Sequence, residues 1–159
     1  MSERTSGILE RRLQSRPVPE PVTRAVMNLQ VAAAQFEEDF AETLAPEGLS
    51  SSAMNVLRIL RGHPEGHPRG EIAKRLIYGS ADVTRIIDRL TRRGLVERVR
   101  SPRDRRLSLT RLTAKGQKMV ARLEQPIDAM IARYRRKLSA GEFQELSRLL
   151  EALYAAHLE

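Results

Sequence analysis

A helical repeat of apolar residues stops at Gly94 and is followed at once by two short runs that look like β-strands. Within VTRIIDRLTR (83–92), a helix places four apolar side chains on one face: Val83, Ile86, Ile87 and Leu90. Glycine is favoured just beyond a helix C-terminus. The runs LVERVR and LSLTRL that come next, joined by SPRDRR, are typical of a hairpin. The chain must therefore fold as a helix that leads directly into a β-hairpin.

A shorter helix is predicted just before this one. EIAKRL (71–76) directs Ile72, Ala73 and Leu76 inward, and IYGSAD forms the turn that follows. Ser80 is the predicted N-cap of the next helix, with Asp82 in its first turn. A short helix, a tight turn and a second helix form a helix-turn-helix. With the hairpin behind it, the segment is a winged helix.

Positive charge is concentrated in this segment. The net charge is +8. Between Arg69 and Arg111 we count thirteen Lys or Arg and five Asp or Glu, and the rest of the chain is balanced. A polyanion, double-stranded DNA, is the expected partner. The chain has no cysteine, which excludes disulfides, thiolate metal sites and cysteine nucleophiles.

The helix-turn-helix predicts which side chains meet DNA. The N-terminal part of the second helix enters the major groove, so the candidates are Ser80, Ala81, Thr84 and Arg85, with Arg89 on the flank. Arg85 can donate two hydrogen bonds to guanine, and Thr84 or Ala81 can contact a thymine methyl group. The alternative for Arg85 is a solvated helix face on which it pairs with Asp82 or Asp88.

The SPRDRR segment (101–106), named the wing loop below, also points to DNA. Its three arginines, Arg103, Arg105 and Arg106, repel one another in water, but the narrow minor groove of DNA attracts arginine. We expect these three residues to contact DNA. Asp104 is the expected brace that orients the wing by holding an arginine of the loop or of the second helix.

The remaining chain is predicted to be helical, so the fold class is mainly α with a minor β part. Residues 1–20 form an arm ending in PVPEP, expected to be flexible, although ILERRL could make one helical turn. From Val22 a heptad-like stripe predicts one long helix (21–49) that covers its own core or a partner chain. Residues 50–112 form the DNA-binding lobe, beginning with a helix closed by Gly62. Residues 113–159 form terminal helices.

Two capping signals and one proline organise these terminal helices. Thr113 caps the first of them, and Pro126 predicts a kink or a break near Gln125. Ser139 and Glu142 form a capping box for the last helix. Because apolar residues exceed what a winged domain can cover, we expect the terminal helices to bury one another, within or between chains.

No catalytic residue, metal or cofactor is expected. His63 and His67 flank Glu65 in HPEGHPRG, but this Pro- and Gly-rich stretch is predicted to be a loop without a third ligand. No Ser, His and Asp set and no phosphate loop is present, which argues against an enzyme. No run is long and apolar enough to cross a membrane, and a cytoplasmic protein without a membrane partner is the default expectation.

The run ADVTRIIDRLTRRGLVERVRSPRDRRLSLTRLTAKG resembles the signature of MarR-type winged-helix regulators. The matching motifs are VTR-x-x-DRL, GLVER, P-x-DRR and LT-x-x-G. The resemblance implies a homodimer with interlocked N- and C-terminal helices that reads a pseudo-palindromic operator and often acts as a repressor. It implies Ser80, Thr84 and Arg85 in the major groove, Arg105 or Arg106 in the minor groove, and Asp104 orienting the wing.

The resemblance also implies a small aromatic or phenolic effector. Its crevice would lie near Met27, Gln30, Met54 and the start of the helix after Thr113. The absence of cysteine excludes the peroxide-sensing branch, the absence of tryptophan argues against the urate type, and HPEGHP lengthens one loop. The effector therefore stays open.

Two other binding functions remain. A sequence-independent architectural protein would bind DNA through phosphates alone, with equal affinity for every sequence. A specific regulator would prefer its operator by about 10³ or more. A winged helix that binds proteins does not need an arginine-rich wing.

Overall fold

The structure, a computed structural model, describes residues 7–13, 18–77, 82–102 and 104–155. The chain divides into two compact units, Met1–Glu42 and Thr43–Glu159. Across the described residues, none of the helices has the length and apolar character that a membrane span requires.

The first unit begins with a short helix, α1 (Ile8–Leu13), which is the helical alternative that the sequence left open for ILERRL. Leu9 is buried at 2% exposure. The Glu10 carboxylate pairs with the Arg24 guanidinium, which also donates to the Val18 carbonyl at 3.3 Å. The hydrogen bond from Arg24, with help from backbone amides, lowers the pKa of Glu10 to about 2. Burial and this ion pair together hold α1 in place.

The long helix predicted from Val22 is confirmed as α2 (Pro21–Leu44). Proline suits the first helical position because its missing amide hydrogen has no partner there in any case. Three residues of the predicted stripe, Val22, Val26 and Leu29, are 69%, 44% and 39% exposed. Among the described residues, this part of α2 therefore presents an apolar surface to solvent.

The second unit contains the predicted winged helix. Three helices and a three-stranded antiparallel sheet form it: α3 (Ser51–Arg61), α4 (Arg69–Lys74), α5 (Val83–Arg92), β1 (His67–Pro68), β2 (Val96–Arg100) and β3 (Ser108–Leu112). The strand order is β1-β3-β2, and Val99 lies opposite Leu109. Gly94, with a φ of 68°, ends α5 as predicted, because this left-handed conformation suits glycine.

The core of this lobe is made of aliphatic side chains. At 0–1% exposure lie Val56, Leu57, Leu60, Ile72, Ile87, Leu90, Leu95 and Val96. At Gly116 a Cβ atom would stand only 2.0 Å from the Leu95 carbonyl oxygen. Only glycine permits the next helix to begin this close to the lobe.

Two helices complete the unit. In α6 (Ala114–Arg135), Thr113 accepts a hydrogen bond from the Gly116 amide at 3.0 Å and so caps the helix as predicted. The helix continues through Pro126, so the expected alternative of a break is wrong. Leu123 precedes the proline and Ile127 follows it, and both side chains are buried. In α7 (Ala140–Tyr154) the capping box of Ser139 and Glu142 is confirmed.

Two boundaries differ from the prediction. The HPEGHPRG stretch is only partly a loop, since His67 and Pro68 pair with β3 and α4 begins at Arg69 and ends at Lys74. The predicted first-turn position of Asp82 is wrong, because Asp82 is the N-cap of α5. Its carboxylate faces the Arg85 guanidinium instead of capping an amide. Ser80, the predicted cap, lies outside the described residues.

Candidate nucleic-acid interface

The two faces of α5 differ sharply. Val83, Ile87 and Leu90 are buried at 4%, 1% and 1% exposure, and they anchor the helix to the lobe. Ile86, also predicted to face the core, is half-buried. The opposite face is exposed and carries the predicted contact residues together with one further arginine: Thr84, Arg85, Arg89 and Arg92. The helix thus presents a polar, mainly cationic surface on a rigid base.

This surface forms one wall of a groove of about 790 Å³ that β2 completes. The lining residues are Asp82, Arg85, Asp88, Arg89, Thr91, Arg92 and Arg98. Four arginines against two aspartates leave the groove with an excess of positive charge. An anionic ligand is favoured there by charge.

Ion pairs arrange the charges of the groove. Arg85 lies 3.4 Å from Asp82, which is one of the pairings predicted for a solvated face. Asp88 pairs with Arg98 of β2 and so connects α5 to the first strand of the hairpin. Both pairs are about half exposed or more, so neither adds much stability. The two ion pairs instead orient the side chains of Arg85 and Arg98.

The sequence analysis missed Arg98. Ten residues separate it from Asp88, and the chain reverses at Gly94 between them, so helical spacing does not show the pair. The available signal was the strand alternation, which exposes Arg98 between the half-buried Glu97 and Val99.

Arg69 was also missed as a site residue. It stands at the start of α4, and its Nη1 donates to Thr84 Oγ1 at 3.0 Å. One acceptor position of the Thr84 hydroxyl is thereby used, and its hydrogen remains to be donated. The arginine adds positive charge beside the N-terminal end of α5. Its only sequence signal was membership of the basic segment.

The wing loop is held by its own backbone and by two short side chains. The Ser101 amide donates to the Leu107 carbonyl at 2.9 Å and closes the loop. The Asp104 carboxylate accepts from the Arg106 amide at 2.9 Å, while the Asp104 amide donates to Ser101 Oγ at 3.3 Å. Within the described residues Asp104 therefore braces the loop backbone rather than an arginine side chain.

The loop leaves two of its predicted DNA contacts in solvent. Arg105 and Arg106 are exposed, and neither has an ion pair among the residues that the structure describes.

Across the strands, Glu97 lies opposite Arg111, and their side chains pair at 2.8 Å. Ser80, Ala81 and Arg103 lie outside the described residues.

The two loop histidines contact each other. The rings of His63 and His67 are 4.0 Å apart, centroid to centroid. His67 Nε2 lies 3.3 Å from Arg75 Nη1, and because arginine only donates, Nε2 accepts and its lone pair is occupied. Burial, then the nearby His63 and Arg75, lowers the pKa of His67. In the described ranges no three His, Cys, Asp or Glu side chains are grouped for a metal.

The residues predicted near an effector fall in both units. On α2, Met27 is half-buried and Gln30 is exposed. Met54, at 1% exposure, lines a cavity of about 200 Å³ between α3 and α6. The other lining residues are Arg58, Arg61, Val120, Glu124, Ile127 and Asp128.

Comparison with known proteins agrees with this architecture. A family model described as MarR family matches residues 47–107. A solved MarR transcription factor from Planctomyces limnophilus is 37% identical, with a TM-score of 0.65 over 85% of this chain and 98% of its own. A cysteine-to-serine mutant of MarR from E. coli, solved in complex with operator DNA, is 25% identical, with a TM-score of 0.73 over 84% of this chain and 93% of its own.

A curated relative carries a regulatory function in its name. The HTH-type transcriptional repressor IacR of Pseudomonas putida is 29% identical over 120 residues, which cover 76% of this chain and 71% of the repressor. The resemblance found in the sequence is thus confirmed by the fold and by relatives along most of the chain. The protein belongs to the MarR family of transcriptional regulators.

Proposed function

We propose that this protein is a sequence-specific transcriptional repressor that binds a pseudo-palindromic operator as a homodimer. The observation that carries the proposal is the exposed cationic face of α5, fixed to the lobe by its buried face and set beside an arginine-bearing wing. A rigid helix with its N-terminal end exposed suits the major groove. Two relatives support it: IacR is named a transcriptional repressor, and MarR from E. coli was solved in complex with operator DNA.

The residues take separate roles in this proposal. Arg85 leaves Asp82 and donates to a guanine, and Thr84, already holding Arg69 as a donor, offers its hydroxyl hydrogen to a base acceptor. Ser80, Ala81 and Arg89 complete the contact with the major groove. The wing arginines, Arg103, Arg105 and Arg106, enter the minor groove, with Asp104 fixing the loop that carries them.

A second copy of the chain supplies the other half of the operator contact. The start of α2 and the C-terminal part of α7 expose apolar side chains: Val22, Val26, Leu29, Leu146, Leu149, Leu153 and Tyr154. Large exposed apolar patches mark interaction sites. In a symmetric dimer the same patches on both copies cover each other and place two wings on one duplex.

Regulation by a small molecule fits the same architecture. The cavity beside Met54 is lined by three apolar and four charged residues. We propose that an aromatic or phenolic effector binds beside Met54 and releases the operator. A protein with this function acts in the cytoplasm, where the DNA is.

Selection of bound DNA from a random pool, at about 150 mM salt, tests the proposal against the architectural alternative. An enriched inverted repeat with half-sites about one helical turn apart, bound by two chains, is the expected result. A pool that stays random after repeated rounds would support the phosphate-only binder instead.

The wing is tested on the selected site. Arg105→Ala combined with Arg106→Ala is expected to weaken binding and to flatten the salt dependence, because each lost phosphate contact reduces the slope by about 0.9. Arg135→Ala, a change at an exposed arginine in the last turn of α6, is the matched control. An unchanged slope in the wing variant would remove the wing from the interface.

A further inference from the structure

The side chain of Arg93, the C-cap of α5, is engaged by the protein itself. Its Nη1 donates to the Gly48 carbonyl and its Nη2 to the Glu47 carbonyl, each at 2.7 Å. Both carbonyls belong to the 3₁₀ turn Ala45–Glu47 and its C-cap, where Gly48 has a φ of 59°. Arg93 is therefore not among the groove-lining arginines, although it lies next to Arg92, which is.

The backbone around Arg93 is held from a second side. The Arg93 carbonyl accepts from Lys115 Nζ at 2.8 Å, and the Gly94 carbonyl accepts from Thr113 Oγ1 at 2.7 Å. The Leu95 carbonyl accepts from the Thr113 amide at 3.1 Å. The C-terminal end of α5 is thus fixed both to the turn before α3 and to the first turn of α6.

The planar guanidinium of Arg93 restricts the orientation of this contact as well as its length. A guanidinium is planar and donates two parallel hydrogen bonds in a fixed geometry, whereas a lysine ammonium is a point donor. Two bonds to successive carbonyls fix the angle of Arg93 as well as its distance. The Glu47 side chain in turn meets Arg122 of α6 at 3.5 Å, so the turn is itself held.

The angle of α5 decides which atoms reach the bases. Ten helical residues span about 15 Å. A tilt of about 10° at the fixed C-terminal end would move the N-terminal end by roughly 3 Å, as much as the full length of a hydrogen bond. Thr84 and Arg85 lie at that N-terminal end.

We propose that Arg93 is a positioning residue for operator recognition, which fixes the angle of α5 from its C-terminal end without contacting DNA. The inference rests on the proposed function, because it assumes that α5 reads the operator. In this proposal the other arginines of the basic segment contribute positive charge, whereas Arg93 fixes the orientation of α5.

The test is the affinity of Arg93→Ala for the selected operator and for random DNA over a range of salt concentrations. The operator affinity should fall about 2- to 30-fold, the range for residues that act through a network. Affinity for random DNA and the salt slope should stay at the wild-type values. Arg92→Ala, the matched neighbour in the groove, should reduce the slope by about 0.9.

Arg93→Lys guards against a loss of folding, because it keeps the positive charge and an aliphatic stem while removing the guanidinium. A positioning role predicts that lysine does not restore operator affinity, while thermal unfolding of this variant shows that it is folded. Full rescue by lysine, a slope reduced as in Arg92→Ala, or equal losses on operator and random DNA would each overturn the inference. If the wild-type protein itself selects no motif, the proposed function fails instead, so the two failures are distinguishable.

Discussion

Helices α5 and α7 lie in the same unit but differ in the residues that they bury and expose. Val83, Ile87 and Leu90 bury one face of α5 in the lobe, and its exposed face is polar and cationic. In α7 none of the residues is buried, and one of its faces exposes apolar side chains, with Leu146 at 40% and Leu149 at 47% exposure. The exposed chemistry of each helix indicates its partner: an anion for α5, another apolar surface for α7.

The lobe around α5 and helix α7 also differ in how they are stabilised. The lobe around α5 has its own core of fully buried aliphatic side chains, so we expect it to fold without a second chain. Helix α7 has a capping box and an Arg148–Glu145 pair at 2.7 Å, which favour a helix but bury nothing. Most helical stability in proteins comes from packing of an apolar face. We therefore expect α7 to depend on protein concentration and the lobe to be independent of it.

The largest effect should come from charging the apolar face of α7. Leu146→Asp with Leu149→Asp places two carboxylates where the proposed dimer buries leucines, and burying an unpaired charge is very costly. Sedimentation should find one chain instead of two at micromolar concentration, with the lobe still folded. Gln144→Asp, on the other side of α7, is the control and should remain dimeric. A dimer that survives the double change would place the interface elsewhere.

The complementary change removes packing from the buried face of α5. Ile87→Ala leaves a cavity at a residue of 1% exposure and should reduce the free energy of unfolding by about 2–5 kcal/mol. Chemical denaturation measures this loss, and it should be the same at every protein concentration. Leu153→Ala, at a position of 63% exposure on α7, is the control for an aliphatic truncation outside the lobe. If Leu153→Ala, made in a monomeric variant, lowered the free energy of unfolding as much as Ile87→Ala does, the proposed difference between α5 and α7 would be wrong.

On the exposed face of α5, a single truncation should alter recognition but not folding. Arg85→Ala should cost about 1–3 kcal/mol of operator binding and relax the preference at one position of the half-site. Its side chain is 83% exposed, so the free energy of unfolding should hardly change. Binding assays on single-base variants of the operator measure both quantities. Equal losses on operator and random DNA would argue against base readout.

The smallest effect concerns α1 and is set by pH. The Arg24 guanidinium holds the pKa of Glu10 at about 2, against 4.5 in the unfolded chain. The contribution of Glu10 to stability is therefore complete above about pH 4.5 and is lost as the pH falls from there toward 2. The Val18 amide donates to Glu10 Oε1 at 3.5 Å, so the protection factor of its hydrogen, the exchange rate relative to that of an unstructured peptide at the same pH, should fall over this range. Glu10→Gln should remove this dependence on pH. With Glu42→Gln, an exposed carboxylate of α2, the loss of protection should persist; its disappearance there would contradict the assignment to Glu10.

Sequence patterns predicted the elements whose signals are local. The apolar period of α5, the glycine at 94, the strand alternation of β2 and β3 and the caps at Thr113 and Ser139 all depend on residues close together in the chain. The structure confirms each of them. Helix α2 was predicted for the same reason, from a stripe that repeats over more than twenty residues.

The features that the sequence analysis did not predict depend on tertiary contacts or on very short elements. Strand β1 has two residues, too few for any periodicity, and it exists because β3 pairs with it. Arg98 and Arg69 become site residues only when the hairpin and α4 are placed against α5. Arg93 belongs to the same basic run as Arg92, and only the position of the Gly48 carbonyl distinguishes them. Composition finds a charged segment, but the fold decides which charges face outward.

The most direct test of the account is the affinity of the wild-type protein for its selected inverted repeat compared with the same repeat carrying about five extra central base pairs. Half a helical turn moves one half-site to the far side of the duplex. Two lobes held by one dimer cannot then bind both half-sites, so the affinity should fall toward that for random DNA. Equal affinity for the two duplexes would mean that each chain binds alone, and it would contradict the homodimer on which the proposed function rests.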